Sequence, residues 1–419
     1  MRVLMTVFAN RSHLYNMVPL AWALTTAGHE VHIASHPDNV QAISDSGLTA
    51  VPVGNDLNIM ALAQSTPREE MVNGGALTLN ETRPEKLTWQ YIHDVFAQYS
   101  QIYEYMADST MTADLVAHAR QWQPDLVIWD ALTYAGPIAA EAVGAPHVRM
   151  LFGLDQWGRM RDHFNRLTGE RAADDRHDPL ADWLATKGEP HGVAFTESLV
   201  TGTTTLAVAP PWMSFPSEQP ALSMRHLPFN GPAVLPDWLR EAPSRPRVCL
   251  TLGLTLRELA DDNVTLADFV NAVADIDADV VATFSAEQVA EIGDLPDNVR
   301  AVDFVPLHAL LPSCAAIVHH GGGGTRTNAI RYGVPQLIVP NWLWDEGYVA
   351  ERFAERGAAL VTEVPDLTPD RLRDQLRRLI AEPSFKAAAE QIQKEYDALP
   401  SLTETVGELV RVAERGRSL

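Results

Sequence analysis

The residues best suited to chemistry in this chain of 419 amino acids form one run, Ala316-Ile317-Val318-His319-His320-Gly321-Gly322-Gly323-Gly324-Thr325. An apolar strand ends in a glycine turn, and a helical stretch at 328–332 follows. Glycine lets the backbone approach an anion closely, and a helix start offers unpaired N–H groups with a partial positive charge. His320 adds a donor and Thr325 a hydroxyl at the cap position. His320, Gly322, Gly323, Gly324 and Thr325 therefore make a candidate diphosphate site. The spacing is neither the dinucleotide G-x-G-x-x-G nor a P-loop, because no Gly-Lys-Ser/Thr follows. Without a ligand, the same glycines would form a tight turn.

Asp345 and Glu346 come next, after an apolar run at 336–339 and among Trp342 and Trp344. Carboxylates accept hydrogen bonds from hydroxyl or ammonium groups, and indole faces cover C–H surface, which suits a polyol or an aminosugar. An acidic loop with packed tryptophans fits the same residues. Near the start, His13 sits where the first strand gives way to the first helix. A histidine there feels the positive helix end, which disfavours imidazolium and leaves a neutral base at pH 7. Asp130 closes another strand of the same domain, where it could orient His13 and stabilise an imidazolium formed in a reaction. The alternative is a histidine hydrogen-bonded in a loop. His29, His32 and His308 show no ligand spacing, and Cys249 and Cys314 form no Cys/His pattern, so no metal site is expected.

These groups need strands and helices to place them. Apolar runs at 3–8, 30–34 and 124–130 read as buried strands, with helices at 14–27 and 135–143, and 41–53 supplies another helix and strand. Strands alternating with helices mean a parallel sheet with crossover helices. Nine prolines between 210 and 246 break all periodicity, which reads as a linker. A second alternating block has strands at 248–252, 280–284, 301–304, 315–319 and 336–339. It closes with an amphipathic helix at 403–414. Trp89, Ile92, Phe96, Tyr99, Tyr103 and Met106 step by three and four, first a helix core stripe and only second a pocket lining.

The length suits two domains of about 200 residues. Formal net charge is −22, from 54 acidic against 32 basic residues, which argues against a nucleic-acid binder and against attachment to an anionic membrane. The opening apolar run is expected to be a strand rather than a signal peptide, and no apolar run reaches membrane-spanning length. Only two cysteines occur, in keeping with a reducing cytoplasm.

On these residues the sequence resembles the nucleotide-sugar glycosyltransferases of the GT-B fold, in particular the actinobacterial deoxysugar transferases that decorate macrolide, anthracycline and related polyketide antibiotics. The likeness rests on His319 to Thr325, Val18-Pro19-Leu20-Ala21-Trp22-Ala23 and Val305-Pro306-Leu307-His308-Ala309-Leu310-Leu311-Pro312. It implies an α/β protein of two doubly wound Rossmann-like domains facing across a cleft. The expected divisions are an acceptor-binding domain at 1–208, a linker at 209–247, a nucleotide-sugar domain at 248–400 and a C-terminal helix at 401–419.

The resemblance also implies roles. His13 would be the general base and Asp130 its partner, while Val305 and Leu307 would flank the nucleotide base. His320 and the backbone of 322–325 would hold the diphosphate, with Thr255 near it, and Asp345 and Glu346 would hold the sugar. Where relatives carry Asp or Glu followed by Gln, this chain has Asp345-Glu346. The implied reaction is inverting transfer from a dTDP-deoxysugar, a co-substrate rather than a cofactor, to a hydrophobic polyketide acceptor. Members of this group often work with a haem-monooxygenase-like activator protein, and a homodimer is compatible with the resemblance. Three rivals stand beside biosynthesis: self-protective inactivation of an antibiotic by the same chemistry, a sugar-nucleotide epimerase, and a non-catalytic binding protein.

Overall fold

The computed structural model describes residues 1–58, 79–215, 221–251, 265–340 and 344–416. They divide into two units, one of residues 1–229 and 400–419, the other of residues 230–399. The first unit holds a sheet of seven strands: β1 (Arg2–Thr6), β2 (Glu30–Ser35), β3 (Thr49–Pro52), β4 (Leu126–Asp130), β5 (His147–Met150), β6 (Thr204–Ala207) and β7 (Ala221–Ser223). All pairings are parallel, in the order β3-β2-β1-β4-β5-β6-β7. The second unit holds six parallel strands in the order β10-β9-β8-β11-β12-β13. These are β8 (Arg247–Thr251), β9 (Asp279–Thr283), β10 (Val299–Val302), β11 (Cys314–His319), β12 (Gln336–Ile338) and β13 (Ala359–Val361).

Both orders are doubly wound. The chain lays strands to one side of the sheet, then returns to the other, and the reversal falls between β1 and β4 in the first unit and between β8 and β11 in the second. Ligands of open α/β sheets bind outside the carboxyl ends of the strands at such a reversal. The central strands are covered on both faces, so β1 and β4 read as continuous apolar runs, with Val3, Leu4, Met5, Val127, Ile128 and Trp129 fully buried.

Some strands carry no such signature. β5 reads His-Val-Arg-Met, yet Arg149 is fully buried, where its guanidinium meets Asp155 and Thr205 Oγ1. A charged residue paired with a carboxylate inside the sheet hides the apolar pattern. The proline-rich stretch from 209 to 247 contains the boundary between the two units. Up to Phe229 it goes with the first unit and carries β7, and from Asn230 it goes with the second. β7 lies at the edge, where only one side needs ladder bonds and nearby prolines are tolerated. The helix Leu402–Gly416 returns to the first unit and buries Val406, Leu409, Val412 and Ala413 in its core. The stripe at 89–106 is a helix, Trp89–Met106, with Ile92, Phe96 and Tyr103 buried and Trp157 packed against Phe96 and Tyr103.

Candidate active site

In the first unit, the helix Arg11–Thr26 starts just past β1. Asn10 caps it, its side-chain oxygen accepting the Ser12 N–H at 2.9 Å. That cap leaves His13, in the first turn, free to point at the end of β4. Its Nδ1 lies 2.6 Å from Oδ2 of Asp130, the last residue of that strand. Asp130 is only 2% exposed, and its other oxygen accepts the Leu132 N–H at 2.9 Å. An ionised carboxylate can only accept, so the proton of a neutral His13 sits on Nδ1 and Nε2 keeps its lone pair. The ring meets Phe8 edge-on, with centroids 5.2 Å apart, and packs against a tilted Phe152 ring at 4.5 Å. The pair can take a proton at Nε2 while Asp130 stabilises the imidazolium. Sequence reading did not find Phe152, because a lone aromatic past an unrecognised strand carries no pattern.

In the second unit, β11 ends at His319 and the helix Gly323–Arg331 begins four residues later. Gly321 has φ +95°, a left-handed conformation that glycine adopts freely, and a Cβ there would sit 3.0 Å from Glu346 Cβ. Gly322 is the N-cap and makes no side-chain cap bond. A Cβ on Gly322 would lie 2.6 Å from His320 Nε2, so the imidazole lies over the turn in space that only glycine leaves. Burial lowers the His320 pKa, which keeps the ring neutral at pH 7. The first helical bond runs from the Arg326 N–H to the Gly322 carbonyl. The amides of Gly323, Gly324 and Thr325 precede it and have no carbonyl to meet within the helix. Thr325 is therefore in the first turn rather than at the cap, because the helix starts three residues earlier than its hydroxyl suggests.

Asp345 and Glu346 stand at the start of the helix Glu346–Glu355 and do different things. Asp345 is 4% exposed, and its two oxygens accept from Arg326 Nη1 and Nη2 at 3.1 and 3.2 Å. Glu346 Oε2 accepts the Trp344 N–H at 2.7 Å, and burial raises the pKa of its carboxyl, with the neighbouring Asp345 charge adding to the rise. Arg326 escaped the sequence reading, since nothing in an Arg and an Asp that lie 19 positions apart announces a buried pair. Val305 is buried in the second unit's core, so its backbone is what it can offer a ligand, and Leu307 opens the short helix Leu307–Leu310 beside it. Thr255 and Trp342 lie outside the described residues. Among the described residues, no group of three or more His, Cys, Asp or Glu is placed to hold a metal ion.

A histidine–carboxylate dyad stands at one sheet reversal and a glycine turn at the other. The profile described as Erythromycin biosynthesis protein CIII-like, N-terminal domain, matches residues 22–253, and that of the C-terminal domain matches residues 267–412. The chain belongs to the erythromycin biosynthesis CIII-like family. Relatives within reach of this family include aclacinomycin-T 2-deoxy-L-fucose transferase of Streptomyces galilaeus, 45% identical over 100% of this chain and 97% of the relative. Another is 10-deoxymethynolide desosaminyltransferase of Streptomyces venezuelae, 43% identical over 100% of this chain and 98% of the relative.

Among solved structures, the glycosyltransferase VinC in complex with dTDP is 96% identical with a TM-score of 0.94, over 99% of this chain and 100% of that one. The spinosyn forosaminyltransferase SpnP is 40% identical with a TM-score of 0.83, over 99% of both chains. The CIII-like chain described here has the GT-B fold and is a nucleotide-sugar-dependent glycosyltransferase.

Proposed function

We propose that this CIII-like enzyme transfers a deoxysugar from a dTDP-sugar to a hydroxyl of a polyketide-type aglycone, inverting the anomeric centre, in antibiotic biosynthesis. The observation that carries the reading is the 2.6 Å contact between His13 Nδ1 and Asp130, which leaves Nε2 as the base. The acceptor binds to the first unit and the donor to the second. As the acceptor oxygen bonds to the anomeric carbon, its proton passes to His13 Nε2 and the bond from that carbon to the diphosphate oxygen breaks. Asp130 meets the imidazolium charge. His320 and the amides of Gly323, Gly324 and Thr325 meet the charge that gathers on the leaving dTDP, a preorganised field that needs no rearrangement during the step. Val305 and Leu307 flank the base of the nucleotide.

The relatives support the donor and acceptor classes. Their names specify 2-deoxy-L-fucose, desosaminyl and forosaminyl transfer, and the VinC structure is a complex with dTDP. Within the acidic pair, Glu346 makes the direct sugar contact, and Asp345, already engaged by Arg326, holds the loop. A buried carboxyl whose pKa is raised gains most from a cationic partner, so Glu346 favours an aminosugar ammonium. Glu346→Gln should then slow transfer from an aminosugar donor more than from a neutral one, and equal effects on both would remove the ammonium from the account.

The whole reading is tested with His13→Ala and a dTDP-deoxysugar. Loss of the general base should slow transfer by about 10²–10⁴-fold while dTDP affinity is kept. Full turnover in that variant would end the base assignment.

A further inference from the structure

The reaction uses His13 and His320, and leaves unassigned a third histidine, His319, which is fully buried at the end of β11. Its two ring nitrogens have different partners. The Gly321 N–H donates to Nδ1 at 3.0 Å, and Nε2 lies 2.9 Å from Gln336 Oε1 at the start of β12. A backbone N–H can only donate, so Nδ1 carries no proton. The single proton of the neutral ring is then on Nε2, and the Gln336 amide must present its oxygen to it. One backbone donor thus fixes both the tautomer and the orientation of the amide.

The Gly321 N–H held in this way belongs to the residue with φ +95°, whose conformation turns the chain from β11 into the helix start. We infer that His319 is a positioning residue for the donor, locking the glycine turn in its diphosphate-binding shape through Nδ1 while Gln336 fixes its tautomer. The inference rests on the reading of that turn as the diphosphate site and adds what shapes it. A protonated ring would present N–H to N–H at Gly321 and release the turn. The surroundings keep the ring neutral: burial lowers its pKa to about 3, and His320 beside it and Arg326 of the following helix both oppose a positive charge. Glu346 packs against Gly321, and the neighbouring Asp345 is paired with Arg326. The strand neighbours of His319, Thr251 and Ile338, carry no charge.

The test is dTDP affinity by calorimetry on full-length protein, in wild type, His320→Ala, His319→Asn, His319→Gln and Gln336→Glu. Asparagine places its Oδ1 where Nδ1 stands, and glutamine reaches only the Nε2 position. His319→Gln should therefore weaken dTDP by about tenfold or more, the cost of an orphaned buried donor, while His319→Asn recovers most of the loss.

Gln336→Glu gives the pH signature. A carboxylate opposite Nε2 favours imidazolium, so the ratio of variant to wild-type affinity should fall as pH drops from 8 to 5.5. Taking the ratio cancels titration of the nucleotide itself. If His319→Gln does not fold, this ratio decides. Equal affinities in His319→Asn and His319→Gln, or a ratio flat with pH, would overturn the lock. Unchanged dTDP binding in His320→Ala would instead overturn the diphosphate reading, and the lock with it.

Discussion

His13 and His319 each stand beside the reversal point of a doubly wound parallel sheet, and the partner of each decides what it does. His13 faces a carboxylate, Asp130, at 2.6 Å, and His319 faces a neutral amide, Gln336, at 2.9 Å. A carboxylate meets the charge of an imidazolium, so the first ring can cycle through protonation. An amide offers no such compensation inside a buried strand, so the second ring stays neutral and serves as a fixed acceptor. The helix starts differ in the same sense. Asn10 satisfies an amide of its own helix through its side chain, and the chemistry there falls to a side chain, His13. Gly322 has no side chain to cap with, and the first-turn amides behind it have no partner within the helix, which is what the proposed diphosphate site uses. In the proposed reading, one architecture, used twice, serves as a proton acceptor in one unit and an anion cradle in the other.

The largest way to break the second half of this comparison is Arg326→Met. It removes the cation that faces the buried Asp345 carboxylate, and the expected cost is about 3–5 kcal/mol of stability, read from denaturant unfolding. Arg326→Met with Asp345→Leu should recover much of it, because the buried charge is then removed together with its cation. A single variant as stable as wild type would show that Asp345 finds water. Smaller is Gly322→Ala. Its Cβ would push the His320 ring off the turn, and dTDP affinity should drop about tenfold with little change in the unfolding midpoint. Equal affinity would mean that His320 does not need its place over the helix start. Smallest is Asn10→Ala in the first unit, expected to cost about 1 kcal/mol of stability and to leave dTDP affinity alone. A loss of nucleotide binding there would blur the division between the two helix starts.

The sequence disclosed most of what sits at the two reversals. β1, β4 and β11 are apolar runs because both faces of a central parallel strand are covered, and His13, Asp130 and the glycine turn stand directly at their ends. What stayed hidden were pairings made by tertiary structure between polar residues far apart in sequence. Gln336 opens a three-residue buried strand, and a polar residue in such a place signals a buried partner without naming it. Arg326 and Asp345 look like surface charges until the fold brings them together. Arg149 conceals β5 in the same way. The proline-rich stretch hides β7 for a different reason. An edge strand such as β7 needs so little periodic sequence that it passes for linker.

The account turns on the claim that the partner makes the histidine. The direct measurement is the rate of sugar transfer by Asp130→Asn, with dTDP-deoxysugar and aglycone both saturating, beside dTDP affinity on the same sample. Giving His13 an amide, as His319 has, should slow transfer by about 10²-fold or more and leave nucleotide binding unchanged. Transfer at the wild-type rate would contradict it.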